Sequence, residues 1–429
     1  MMGYTREDIE RMVEEEDVEF IRLQFADIYG NLKNMAVTAS QLKKVLDNQC
    51  TFPCMAIDGF HDKDNPSLYL YPDLDTFTIF PWRPQQGRVG RFICDVYRAD
   101  KVPFEGDSRQ VLKNVVERAA RMGYRFKVGP ECEFFLFDYD EDGNPTTETG
   151  EKGCYFDVAP SDGGENARRD IVLTLEDMDF EVEASFHSEA PAQHQIDFKY
   201  DEPLAAADNI TTFKLAVRTI AKRHGLYATF LPKPRNGEKG SGMHLKISIY
   251  AHESKENLLQ KQGQEELTET ERYFIGGLMA HMKALFLITN PIVNSYKRFV
   301  PGYDAPTQIG WSRKEYNALI NLASTDYGTE KIELRSPDGA ANPYLALAVC
   351  LAAGLDGLER KLEPGCQEQG DPVPGSLGMA LEAFREDSYI QEVLGEYISE
   401  KYLNVKEEEW KSYTEQVTPW EIEQYLYRI

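Results

Sequence analysis

The sequence predicts an α+β protein of two domains, on three observations. Short β-type runs crowd residues 16–100, helical runs and strands mix irregularly over 104–429, and 429 residues exceed what one compact core holds. Beyond residue 104 the elements do not alternate as strand, helix, strand, so a doubly wound parallel sheet is excluded.

The N-terminal segment MMGYTREDIERMVEEEDVEF reads as a charged amphipathic helix, with Thr5 as its cap and Asp8 three residues on. FIRLQFADIYG, NMAVTA, YLYPD, FTIFPW and RVGRFICDVY follow as short strands between turn residues, with one helical stretch at SQLKKVLDN. SRQVLKNVVERAARMGY carries apolar residues at helical spacing and opens the second domain. The long helical runs after it are DIVLTLEDM, ITTFKLAVRTIAKRHG, ETERYFIGGLMAHMKALFLITNP and PYLALAVCLAAGLDGLERKL. Residues 363–375, EPGCQEQGDPVPG, are rich in proline and glycine and read as an exposed connector.

Hydrophobic residues at 42% and charged residues at 28% describe a soluble globular chain. No apolar run approaches the roughly 18 to 20 residues of a membrane span, and the N-terminus lacks the apolar centre of a signal peptide, so the expected location is cytoplasmic. A net charge of −25 argues against nucleic acid or an anionic membrane as partner. It does not exclude small anionic substrates, because screening over about 8 Å leaves the potential of a cleft to its own residues. The cysteines, at 50, 54, 94, 132, 154, 350 and 366, are odd in number and form no CxxC pair, so they read as buried thiols rather than a disulfide framework or zinc site.

Three β-type runs carry ionisable residues at i, i+2: Glu131 and Glu133 in GPECEFFLF, His244 and Lys246 in GSGMHLKISIY, Glu333 and Arg335 in KIELRSPD. In a strand that spacing puts both members on one face and leaves Phe134, Leu136, Leu245, Ile247, Ile332 and Leu334 on the other. One face reads as core and the other as a charged cavity. Carboxylates and an imidazole from separate strands suit a hard divalent cation, and the arginines suit an anion.

GPECEFFLF, NGEKGSGMH, NSYKRFVPGY and ELRSPDGAANPYLAL together resemble the signatures of the glutamine synthetase family in its shorter bacterial form, and the likeness runs from FADIYGNLKN to TPWEIEQYLYRI. The resemblance implies a β-grasp domain at 16–100 and a catalytic domain at 104–429 whose antiparallel sheet forms a funnel among helices. It also implies a ring-based homo-oligomer, expected to be dodecameric, with ATP as substrate and Mg2+ or Mn2+ as cofactor. In the family reaction ATP phosphorylates the γ-carboxylate of glutamate and ammonia displaces the phosphate.

The resemblance assigns Glu131, His244 and Glu333 to one metal and Glu133 to a second. It places Lys246, Ser248 and Lys331 at the nucleotide, and Glu133, Gly240, His244, Arg298 and Arg335 around the amino acid, with Arg298, Arg335 and the flap residue Asp304 in catalysis. Arginine suits bidentate carboxylate recognition as lysine does not. Other positions depart from the pattern. Ser188 and Gln195 stand where two carboxylates of the second metal are expected, and Glu189, one position on, is expected to point to the opposite face. Tyr316 and Asn321 replace two arginines, Lys331 a third, and Lys239 an asparagine. The family's proton-accepting loop DGSS is Pro53-Cys54-Met55-Ala56 here. Two functions follow: an ATP-dependent ligase joining glutamate or a close analogue to ammonia or another amine, with ordinary glutamine synthesis weak, or a catalytically impaired relative that binds amino acid or nucleotide in a regulatory role.

Overall fold

The computed structural model describes residues 3–61, 66–83, 86–259, 266–315, 317–324, 330–365 and 370–429. Helix α1 (Arg6–Glu15) opens on the expected capping box, in which Thr5 and Asp8 satisfy each other's backbone donors. Strands β1 (Val18–Ala26) and β2 (Leu32–Thr38) form a hairpin, followed by α2 (Leu42–Leu46), β3 (Cys50–Pro53), β4 (Ser67–Pro72), β5 (Thr78–Ile79) and β6 (Arg88–Tyr97). They make a six-stranded sheet ordered β2-β1-β6-β4-β3, with β5 also on β6. Its central pair, β1 and β6, is parallel and the flanking pairs antiparallel, in keeping with the expected β-grasp. Alternate residues Ile21, Leu23 and Phe25 of β1 are buried, as a one-faced sheet requires.

Helix α3 (Ser108–Arg121) leads into the long β7 (Tyr124–Asp138), then α4 (Glu165–Glu176), β8 (Val182–His187), β9 (Gln193–Phe198), α5 (Pro203–Arg223), β10 (Leu226–Thr229) and β11 (Met243–Ala251). After these come α6 (Glu269–Thr289), β12 (Trp311–Ser312), β13 (Ile320–Ser324), β14 (Glu330–Leu334), α7 (Pro343–Arg360), α8 (Leu377–Glu386), α9 (Ser388–Thr414) and α10 (Pro419–Tyr425). The second sheet runs β12-β13-β14-β11-β7-β9-β8, with β10 also on β7, and every pair but β12–β13 is antiparallel. The predicted core face of its strands, Phe134, Leu136, Leu245, Ile247, Ile332 and Leu334, is buried throughout. Helix α7 is buried along almost its whole length against α6. Gly277 and Gly357 allow this, since a Cβ on either would lie within 2.1 Å of a backbone oxygen of the other helix.

Two expectations change. Helices α4 and α5 start earlier than their apolar runs, because Gly164 precedes one and Pro203 supplies the first turn of the other. Among the described cysteines no disulfide forms, but Cys154 is exposed rather than buried; Cys366 lies outside the described residues. Among the described residues no helix is long and apolar enough to cross a membrane.

The two sheets are tied together by an ion network. Arg109 at the start of α3 makes two bonds to Asp208 on α5, at 3.0 and 2.8 Å, and one each to Asp95 of β6 (2.6 Å) and to Asp73, just past the end of β4 (2.7 Å). The guanidinium is 3% exposed. Burial alone would disfavour its charge, but Asp208 and Asp95 outweigh it and hold its pKa well above the ordinary value.

Candidate active site

The second sheet opens on a cavity of about 620 Å³ lined by Glu131, Glu133, His244, Lys246, Glu333 and Arg335. The strand registers explain the convergence: Glu131 of β7 stands opposite His244 of β11 on one side and Asp197 of β9 on the other. Lys246 likewise stands opposite Glu333, and Glu333 opposite Asn321 of β13. Side chains so paired on one face approach within about 5 Å.

His244 Nδ1 lies 3.1 Å from Glu333 and 3.6 Å from Glu131, and Lys246 also pairs with Glu131. Burial alone would raise the Glu131 pKa, but the His244 hydrogen bond and the Lys246 charge outweigh it and bring it down to about 2. His244 is driven the other way: burial opposes its charge, yet its two carboxylate partners raise its pKa above the ordinary 6.5. For Asp197 burial together with the Glu131 charge outweighs the Gln195 hydrogen bond and the more distant Lys246 and His244 charges, and pushes its pKa up to about 7. Sequence reasoning missed Asp197, although it follows Gln193 and Gln195 at the same i, i+2 spacing.

Glu133 is surrounded by donors. Ser188 Oγ (2.8 Å) and Gln193 Nε2 (3.1 Å) donate to one oxygen and the Gly242 amide (2.8 Å) to the other. Gln195 turns its amide to Asp197, 2.8 Å away. Glycine at 240 and 242 lets the loop run this close: a Cβ would lie 2.2 Å from the Pro232 oxygen or 2.6 Å from Arg298 Nη1.

Glu189 corrects its expectation. Residues 188–192 form a turn rather than an extended strand, so strand alternation does not apply there, and Glu189 faces the cavity. There it pairs with Lys239, whose Nζ also lies 2.6 Å from Asp304.

Arg298 is 4% exposed and reaches the cavity, with Nη2 donating to the Ser336 carbonyl at 2.5 Å and Nε without a partner among the described residues. Burial lowers its pKa. Arg313 and Lys314, which sequence reasoning also missed, line the cavity beside Asn321. Two residues placed here by resemblance are not brought to the lining. Ser248 is buried in β11, its backbone paired with Lys127. Lys331 Nζ sits 3.1 Å above the Tyr200 ring, and burial lowers its pKa to about 8. Tyr316 lies outside the described residues.

Residues 17–99 match the glutamine synthetase beta-Grasp domain and residues 105–425 the glutamine synthetase catalytic domain. The chain belongs to the glutamine synthetase family. It is 48% identical to the glutamine synthetase of Clostridium saccharobutylicum, over 99% of both chains, and 49% identical to that of Staphylococcus epidermidis, over 99% of this chain and 98% of the other. The solved structure of a GmaS/ADP complex superposes with a TM-score of 0.89 at 30% identity, covering 98% of this chain and 99% of the other. Plasmodium falciparum glutamine synthetase shares the fold, with a TM-score of 0.90 at 22% identity and 99% of each chain covered.

The family works with ATP and divalent metals, and the residues present fit one ion better than two. Ligand atoms of Glu131, His244 and Glu333 lie within 4.8 Å of one another, as one divalent cation requires. The second set does not fit, because Ser188 donates its hydroxyl to Glu133 and Gln195 turns its amide to Asp197, where carboxylates would present lone pairs.

Behind the cavity a second cluster, Glu151, Asp162, His187 and His194, has the spacing of a metal site. Its chemistry is that of a hydrogen-bonded brace. Arg168 already supplies the cation, bonding Asp162 at 2.6 Å and donating to His194 Nδ1 at 2.8 Å. Burial, reinforced by that charge, brings the His194 pKa down to about 3. Glu151 accepts from His187 and from the Ala192 and Gly163 amides, which fixes the turn carrying Ser188 and Glu189.

Proposed function

We propose that the protein is an ATP-dependent ligase that activates glutamate or a close analogue and joins it to an amine, with ammonia a poor acceptor. The observation that carries this reading is the meeting in one cavity of Glu131, His244 and Glu333 with Arg298 and Arg335. A bound divalent ion would be held by the first three and would neutralise nucleotide phosphate charge. Arg298 and Arg335 orient the carboxylates of the amino acid, and Lys246, Arg313 and Lys314 provide cationic surface toward the transferring phosphoryl group.

The amine end supports a less polar acceptor. Pro53-Cys54-Met55-Ala56 offers no carboxylate, and Cys54 is fully buried in its own domain. In a ring-based oligomer, which we propose on the family resemblance and expect to be dodecameric, this loop faces the cavity of the next subunit, and Met55, half exposed, gives an apolar wall there. The exposed side chains of Trp420, Ile422, Leu426 and Tyr427 near the C-terminus supply contact area for such an assembly.

The saturation of Glu133 by three donors favours a second reading, a protein that binds amino acid without turning it over. A mass-spectrometric assay with ATP, glutamate and a panel of amines including ammonia, with ADP as readout, separates the two. The ligase reading expects a γ-glutamyl product with a substituted amine and near-background yield with ammonia. Fast ammonia turnover overturns the acceptor assignment. No product with any amine, with calorimetric amino-acid binding that Arg298→Ala abolishes, supports the second reading.

A further inference from the structure

A second cavity of about 590 Å³ lies where the β1–β2 hairpin meets α5 and shares no residue with the reaction cavity. Its charge is opposite to that of the chain. Arg22, Lys214, Arg218 and Lys406 line it and, among the described residues, no carboxylate does, in a protein of net charge −25. Lys406 is paired with Glu409 at 2.8 Å. Arg22, Lys214 and Arg218 have no ion-pair partner among the described residues; Lys214 Nζ donates only to the Ala341 carbonyl, at 3.1 Å.

The arrangement is costly without an anion. Lys214 and Arg218 stand one turn apart on α5, where like charges repel. Burial depresses the pKa of Arg22, Arg218 and Lys214, the last to about 8. The Phe230 ring, 5.3 Å from Arg218 and 5.9 Å from Lys214, returns only a part of that cost. The volume falls in the range of roughly 300–1,000 Å³ typical of small-molecule sites and exceeds what a dicarboxylate fills. Tyr29, whose ring lies 6.0 Å from that of Tyr402, provides an aromatic wall beside the cations.

We propose that this interdomain cavity binds a phosphate-bearing small molecule of mononucleotide size, with Arg22, Lys214 and Arg218 on the phosphate and the tyrosine side on the base. Because β1 and α5 belong to different sheets' layers, such a ligand couples the two domains. The forked guanidinium groups suit phosphate oxygens.

The test is calorimetric titration of AMP and of malonate into the wild-type protein and the Arg22→Ala, Arg218→Ala and Glu131→Gln variants, at two salt concentrations. Circular dichroism confirms that each variant is folded, and Arg218→Lys serves as the conservative control. The expected result is an AMP site weakened at least tenfold by Arg22→Ala and by Arg218→Ala, changed less than twofold by Glu131→Gln, and weakened by salt. Absence of AMP binding, binding lost only in Glu131→Gln, or binding indifferent to both arginine variants overturns the proposal. Malonate binding this site more tightly than AMP overturns the phosphate assignment.

Discussion

Lys239 Nζ lies 2.6 Å from Asp304 Oδ2 while also pairing with Glu189, so one ammonium ties the glycine loop, the flap loop and the β8–β9 turn together at the cavity mouth. Each of the three side chains is about one third exposed or more, so screening limits the strength of the bridge to about 1 kcal/mol. Lys239→Asn should therefore speed hydrogen exchange of the amides at 302–305 by about fivefold. Unchanged exchange there would show that the flap is held by other contacts, among them Lys233 over the Tyr303 ring.

The donors around Glu133 define a second test. Ser188→Glu combined with Gln195→Glu replaces donor groups by carboxylates on the cavity face, and bound Mn2+ measured by equilibrium dialysis should rise from one to two ions per subunit. The wild-type protein binding two ions with equal affinity would contradict the reading of Ser188 and Gln195 as poor ligands.

Arg109 compensates three carboxylates at once, so Arg109→Met leaves Asp208, Asp95 and Asp73 facing one another with little exposure. A loss of about 3–5 kcal/mol in urea unfolding is expected. A loss under about 1 kcal/mol would mean that solvent or Lys113, which also pairs with Asp95, takes over its role.

His281 on α6 provides a pH-dependent clasp. Its ring lies 2.6 Å from Asp387 and 3.0 Å from Asp356, joining α6 to α7 and to the start of α9. Burial alone discourages its charge, but the two carboxylates outweigh that and raise its pKa above 6.5. The stabilisation is therefore complete below about pH 6.5 and is lost as the pH rises through the folded value, by about 1.4 kcal/mol for every pH unit that separates the folded from the unfolded titration. The melting temperature of the wild type should fall over that interval, and His281→Gln should flatten the fall. An identical pH profile in the variant would remove His281 as its cause.

The alternation of charged and apolar residues in GPECEFFLF, GSGMHLKISIY and KIELRSPD determined by itself which face of the second sheet is core and which is cavity, because side-chain direction in a strand has a period of two. The apolar spacing of α3, α6 and α7 and the Thr5 cap were legible for the same reason: they depend on neighbours within one or two turns. What only the tertiary structure decided depends on register and on turns. Asp197 enters the site because β9 pairs with β7 so that it faces Glu131, a pairing that alternation within β9 does not specify. Glu189 points inward because its segment turns rather than extends, and Lys239 meets Asp304 across 65 residues of chain. The cations of the second cavity come from β1, α5 and α9, so their convergence is invisible until the domains are packed together. Local periodicity fixes the face of each element, whereas partner, register and cavity are set by long-range packing.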